Sequence, residues 1–120
     1  FANYFRDSVS VLFGKGDGSS GTRMPAGYFP RDIASADFNE DGLADLATVN
    51  EDSYDLSVFL ADPDGLFFPD TRYRVAAPGP PWWPIYFAAG DVTWDGHADL
   101  AVIDPWQCKT REMPGGDWPW

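Results

Sequence analysis

Short runs in which apolar and polar residues alternate recur along the 120-residue chain and predict β-strands. Residues 8–13 and 56–60 share this alternation, and each run is followed by a turn that contains Asp-Gly. Further strands are predicted at 22–29, 46–50, 71–77, 85–90 and 100–104. No helical periodicity of useful length lies between them. The pattern therefore predicts an all-β fold of short antiparallel strands.

An acidic ten-residue segment occurs twice and reveals an internal repeat. The first copy is Asp37–Leu46 and the second is Asp91–Leu100, 54 positions later. Four short strands in roughly 50 residues is the period of a four-stranded β-propeller blade. The repeat divides the chain into a half blade at 8–29, a full blade at 30–77, a half blade at 84–107 and an irregular tail at 108–120.

Both acidic segments place oxygen-bearing side chains at loop positions one, three, five and nine, with Gly at position six. The side chains are those of Asp37, Asn39, Asp41 and Asp45 in the first loop, and of Asp91, Thr93, Asp95 and Asp99 in the second. Ca²⁺ takes about six to eight oxygen ligands, and alternate positions of a tight loop can direct several of them at one point. Glycine permits the sharp turn that this needs. The spacing therefore predicts two cation-binding loops.

Other families of acidic loop fit the sequence less well. An EF-hand requires a glutamate at position twelve and flanking helices, but position twelve is Thr48 in the first loop and Val102 in the second. Dockerin-like loops also continue into helices, whereas both loops here run into β-prone residues. A metal-free turn held by Asx hydrogen bonds remains open, more so for the second loop than for the first.

These residues resemble the FG-GAP/VCBS-type repeats of integrin-like β-propellers. The segments that carry the resemblance are 10–18, 33–50, 56–60 and 88–103. The resemblance implies one Ca²⁺ in each loop, held by the side chains at positions one, three, five and nine. It also implies a backbone carbonyl ligand at position seven, from Leu43 in the first loop and His97 in the second. Thr93 offers only a neutral hydroxyl at position three, so we expect the second site to bind more weakly.

Charge and composition exclude several classes of function. The formal net charge is −11, from 19 acidic and 8 scattered basic residues, which argues against binding to nucleic acid or to an anionic membrane. No run approaches the roughly 20 apolar residues that insertion into a membrane requires. The single cysteine, Cys108, cannot form an internal disulfide. No nucleophile–base pair or redox centre can be identified, so the sequence does not predict an enzyme.

Two blade equivalents cannot close a ring, because propellers contain roughly four to eight blades. An open stack of sheets also leaves unpaired strand edges. We therefore expect neighbouring copies, in a homo-oligomer or a filament, or further blades of a longer chain. The sequence predicts a calcium-stabilised structural and interaction module, extracellular or at the cell surface, where millimolar Ca²⁺ fills even weak sites.

Three tryptophans suggest an alternative function. Trp82, Trp83 and Trp94 can stack on sugar faces, which favours a carbohydrate-binding, lectin-like propeller segment with a glycan as its partner. The same side chains can instead pack against a neighbouring blade. A weaker third possibility is a non-catalytic domain attached to a hydrolase.

Overall fold

A computed structural model describes residues 1–14, 21–75, 86–104 and 109–113. Several features of the sequence analysis lie outside this described part of the chain. They are the Asp-Gly turn at 17–18, Trp82, Trp83, Cys108 and residues 114–120 of the tail.

The described strands form three antiparallel sheets that follow one another along the chain. The first sheet contains β1 (Ala2–Asn3), β2 (Ser8–Leu12) and β3 (Gly21–Pro25). The middle sheet contains β4 (Pro30–Ala36), β5 (Asp45–Asn50), β6 (Asp55–Phe59) and β7 (Thr71–Arg74). The third contains β8 (Tyr86–Gly90), β9 (Asp99–Asp104) and β10 (Lys109–Met113). A 3₁₀ turn at Tyr4–Arg6 is the helical structure in these residues, so the all-β prediction is confirmed.

The middle sheet is a four-stranded meander in the order β4-β5-β6-β7, as expected for one propeller blade. The sheets beside it each contain three strands, in the orders β1-β2-β3 and β10-β9-β8. No strand in the described part of the chain closes the three sheets into a ring. The fold is therefore an open set of partial and complete blades.

Two strands depart from the sequence-based boundaries. The expectation of an irregular tail at 108–120 is wrong for Lys109–Met113, which pairs along its whole length with β9. β1 lies before the predicted half blade at 8–29, where Ala2 pairs with Val9. Each half blade therefore gains a third strand, because pairing with a neighbouring strand overrides the weak local pattern of these segments.

The two faces of the middle sheet differ in polarity. One face carries Ala47 opposite Val58 and Val49 opposite Leu56, and these four side chains are buried. They belong to a single apolar cluster with Phe87, Leu100 and Val102 of the third sheet. The removal of this surface from water is what holds the middle and third sheets together.

The opposite face of the middle sheet carries polar side chains and the buried Phe59, and it meets the first sheet through hydrogen bonds and a second apolar cluster that contains Val9, Met24 and Ala26. Ser57 Oγ accepts the N–H of Gly27 at 3.1 Å, and Arg72 Nη2 donates to the carbonyl of Ala26 at 2.6 Å. Nearby, Asn50 Nδ2 donates to Ser57 Oγ at 2.9 Å and to Asp55 at 2.7 Å. The middle sheet is thus held to the first sheet by directional bonds together with an apolar cluster, and to the third sheet mainly by apolar packing.

None of the helical structure in the described ranges is long and apolar enough to cross a membrane.

Candidate metal centre

Each acidic loop connects the first two strands of a sheet. Loop one joins β4 to β5, and loop two joins β8 to β9. β4 and β8 pack against each other, and both strands run toward their loops. The two loops consequently lie side by side at the same edge of the molecule.

Loop one is folded by hydrogen bonds from its own backbone to its acidic side chains. Asp37 at position one accepts the N–H of Asp41 at 3.1 Å and the N–H of Gly42 at 2.8 Å. Asp41 at position five accepts the N–H of Leu43 at 2.9 Å. Gly42 has a φ of +84°, a conformation that residues with a Cβ rarely adopt. The hydrogen bonds explain why positions one and five are aspartate, and the positive φ explains why position six is glycine.

Loop two has the same pattern of backbone-to-aspartate hydrogen bonds, although its sequence differs. Asp91 accepts the N–H of Asp95 at 3.2 Å and the N–H of Gly96 at 2.9 Å, and Asp95 accepts the N–H of His97 at 2.9 Å. Gly96 has a φ of +89°. The residues at position four are left-handed in both loops, with φ of 62° for Glu40 and 59° for Trp94. The two loops therefore share one backbone conformation.

The aspartates at position nine are fully buried in both loops. Asp45 and Asp99 each have no exposed surface and accept the N–H of the residue at position two, Phe38 at 2.8 Å and Val92 at 2.9 Å. Burial raises the pKa of the Asp45 carboxyl; hydrogen bonds from Ala61 and Phe38 oppose that effect. The charges of Asp41 and Asp37 raise this pKa further, as a neighbouring anion must. A divalent cation at this place would favour the ionised form.

Position three is where the loops differ. Asn39 Oδ1 accepts the N–H of Asp41 at 3.3 Å, and its Nδ2 donates to Asp41 Oδ2 at 3.2 Å. In loop two, the hydroxyl of Thr93 donates to Asp99 Oδ2 at 3.2 Å. The Thr93 side chain is thus engaged with the buried aspartate, whereas Asn39 contacts the carboxylate at position five.

The donor atoms suit Ca²⁺, but the side chains do not form a ready-made cluster. In the described ranges, no three His, Cys, Asp or Glu side chains are grouped closely enough to hold a metal ion. Asp37 and Asp41 instead accept hydrogen bonds from the loop backbone. Each carboxylate oxygen can accept more than one bond, so these contacts leave capacity for a cation. The chemistry of the donors therefore fits a hard cation, and the binding itself stays a prediction.

The structure adds to what the sequence indicates for two further residues of the loops. The sequence predicts a backbone carbonyl ligand at His97, and the ring Nδ1 of His97 also contacts the Glu40 carboxylate of loop one. The sequence allows Trp94 either to pack against a blade or to bind a ligand, and 91% of its surface is exposed. No signal in the sequence indicates the first contact, because it joins residues from different repeats.

Comparison with known proteins identifies a family of repeats. A model of the family described as FG-GAP-like repeat matches residues 37–102, a range that contains both loops and the middle sheet from β5 onward. No curated protein and no solved structure matches the chain.

Proposed function

The chain belongs to the FG-GAP-like repeat family, and from that premise we propose that it is a calcium-stabilised structural and interaction module that works outside the cell. Repeats of this family serve as structural and interaction modules. The role assigned here is non-catalytic, with one Ca²⁺ in each acidic loop.

The observation that carries this proposal is the backbone conformation and hydrogen-bond pattern that the two loops share. Asp37 and Asp91 accept equivalent pairs of backbone N–H groups, and Asp45 and Asp99 are buried in equivalent positions. Each loop brings three carboxylates into ten residues, where they repel one another. A bound Ca²⁺ would offset both the repulsion and the burial of charge. Because both loops keep this unfavourable arrangement of charges, we infer that both bind the same kind of ligand and are not metal-free turns.

Calcium binding is tested by unfolding the chain with and without the metal. At a free Ca²⁺ concentration of one hundred times Kd, binding to the folded state alone stabilises it by about 2.7 kcal/mol for one site. We expect the melting temperature to fall when EDTA replaces Ca²⁺. The matched control combines Asp37→Asn with Asp91→Asn, and it should show a much smaller response. An unchanged melting temperature of the wild-type chain would exclude calcium stabilisation.

The open sheets support a second part of the proposal, which concerns assembly. The middle sheet has four strands, and each neighbouring sheet has three. Compared with β4–β7, the described residues of the first sheet include no innermost strand, and those of the third sheet include no outermost strand. We propose that further blades of a longer chain or neighbouring copies complete them. If the first sheet of one copy merged with the third sheet of another, the combined sheet would have six strands, two more than the middle sheet. Copies would therefore associate in another way, by adding a strand to each outer sheet or by exchanging β1 or β10 between copies.

Analytical ultracentrifugation in Ca²⁺ tests self-association. A mass above that of one 13.3 kDa chain supports assembly from copies. A folded monomer in Ca²⁺ would exclude assembly from copies and would leave completion by further blades of a longer chain.

Carbohydrate binding is the second candidate, and the exposure of Trp94 is what favours it. An aromatic ring with 91% of its surface free can stack on a sugar face without rearrangement of the fold. A glycan array with wild-type chain and Trp94→Ala tests this function. The matched control is Phe5→Ala, because Phe5 is 85% exposed but lies in the 3₁₀ turn away from the loops. Binding that Trp94→Ala removes and Phe5→Ala retains would support the lectin-like role.

A further inference from the structure

The two acidic loops touch through side chains that are not themselves predicted ligands. Nδ1 of His97, at position seven of loop two, contacts Oε1 of Glu40, at position four of loop one. Both side chains are partly exposed. The contact spans 57 residues of sequence and joins two successive repeats.

We propose that Glu40 and His97 are positioning residues that couple the two loops, so that Ca²⁺ in one loop raises the affinity of the other. This inference rests on the proposed calcium binding. It goes further by making the two sites interdependent, whereas the repeat pattern alone treats each loop as a separate unit.

The contact joins the parts of each loop that a cation would fix. Glu40 lies between Asn39 and Asp41, the residues at positions three and five, and has a left-handed backbone. His97 supplies the expected carbonyl ligand of loop two, and its N–H donates to Asp95 at 2.9 Å. A shift of the backbone at Glu40 or at His97 therefore moves the predicted ligand atoms of its own loop. Through the contact, it also moves the predicted ligand atoms of the other loop.

Packing beneath the loops holds together the two strands that lead into them. Phe38, at position two of loop one, is 3% exposed and belongs to the apolar cluster that contains Phe87 and Leu100 of the third sheet. Asp32 of β4 accepts the N–H of Phe87 at 3.5 Å. Because β4 and β8 are held together in this way, the loops that carry Glu40 and His97 stay next to each other, and the contact can pass a shift from one loop to the other.

The contact is particular to these two loops. In the same geometry, a preceding loop would meet Leu43 at position seven of loop one, and a following loop would meet Trp94 at position four of loop two. Neither side chain can take part in a carboxylate–imidazole contact. The coupling therefore belongs to this pair of repeats.

The expected sign of the coupling is positive. A cation must order the loop that holds it, which costs conformational entropy. If one loop is already ordered, the contact restricts the other, which then loses less freedom on binding. Couplings of this kind typically change affinity by about 5-fold or more. By linkage the effect must be the same in both directions.

Calorimetric titration with Ca²⁺ measures the coupling. Loop two is blocked by combining Asp91→Asn with Asp95→Asn, and the affinity of loop one is compared with and without this block. In the wild-type chain we expect the block to weaken loop one about 5-fold. In Glu40→Gln and in His97→Ala, which keeps the backbone carbonyl, we expect the block to have no effect on loop one. The matched control is Asp52→Asn, an exposed carboxylate in the β5–β6 turn, which should retain the wild-type coupling.

Each outcome separates this inference from the proposed function. Two sites that bind Ca²⁺ independently in the wild-type chain would overturn the coupling and leave calcium binding intact. Coupling that persists in both Glu40→Gln and His97→Ala would show that the contact does not carry it. A wild-type chain that binds no Ca²⁺ would overturn the proposed function and this inference together.

Discussion

The carboxylate of Asp45 accepts the N–H of Ala61 at 2.7 Å, which joins loop one to the chain that leaves β6. The other oxygen of the same carboxylate accepts the N–H of Phe38 at 2.8 Å. One buried side chain therefore connects the start of loop one, the start of β5 and the end of β6. A residue predicted as a calcium ligand also holds the blade together without the metal.

Asp45→Asn should destabilise the metal-free chain by about 2 kcal/mol, because an amide places an N–H₂ group against a backbone donor and leaves a buried polar group unsatisfied. Urea unfolding in EDTA measures this loss. Asp41→Asn is the matched control, since Asp41 is exposed and accepts only local loop bonds. Its expected effect in EDTA is under about 0.5 kcal/mol. Equal losses in the two variants would contradict a structural role for Asp45.

The sequence predicted the sharp turns of the two loops, because Gly42 and Gly96 have the positive φ that their position in the loop requires. The aspartates at positions one and five, which the sequence predicts as metal ligands, bond the loop backbone in the same way twice, and their binding of a metal stays a prediction. The bond from Ala61 to Asp45 could not be predicted, because it depends on how β6 ends beside β5. The Glu40–His97 contact likewise requires the packing of two sheets.

For the fold as well, strands with a clear local pattern could be predicted, and strands that depend on pairing with a distant segment could not. β6 has alternating apolar residues and was predicted at nearly its observed position, 56–60 against Asp55–Phe59. β10 reads Lys-Thr-Arg-Glu-Met and has no apolar alternation, so only its pairing with β9 defines it as a strand. The predicted strand at 22–29 ends at Pro25, because the chain then crosses to the middle sheet, where the N–H groups of Gly27 and Tyr28 bond to Ser57 Oγ and Ser53 Oγ.

Gly27→Ala should destabilise the junction between the first and middle sheets. A Cβ at this position would lie 2.3 Å from Asn50 Nδ2 and 2.4 Å from Ser53 Oγ, so both polar side chains would have to move. Overpacking of this kind costs about 1–3 kcal/mol. The control is Gly14→Ala, where a Cβ meets nothing within 4 Å. Equilibrium unfolding should separate the two variants, and similar midpoints would show that the junction tolerates a methyl group.

Tyr73 should make the fold sensitive to alkaline pH. Burial raises the pKa of Tyr73 to about 12, from an ordinary value of 10.0. As the pH rises through this interval, the unfolded chain releases the phenolic proton first, so the folded state loses stability relative to it. Urea unfolding at a series of pH values between about 10 and 12 measures the loss. Tyr73→Phe should remove this component, whereas Tyr28→Phe, at an exposed site, should keep it.

Thr93→Asn should strengthen calcium binding in loop two, because it places at position three the residue that loop one has there. Asn39 directs an amide toward Asp41, but the Thr93 hydroxyl donates to the buried carboxylate of Asp99. The substitution exchanges that bond, worth about 1 kcal/mol, for a carbonyl oxygen that a cation can use. The metal-free chain should therefore become slightly less stable, while the affinity of loop two for Ca²⁺ rises. Calorimetry in a chain whose loop one carries Asp37→Asn and Asp41→Asn isolates this effect, and an unchanged or weaker affinity would show that position three contributes no ligand in loop two.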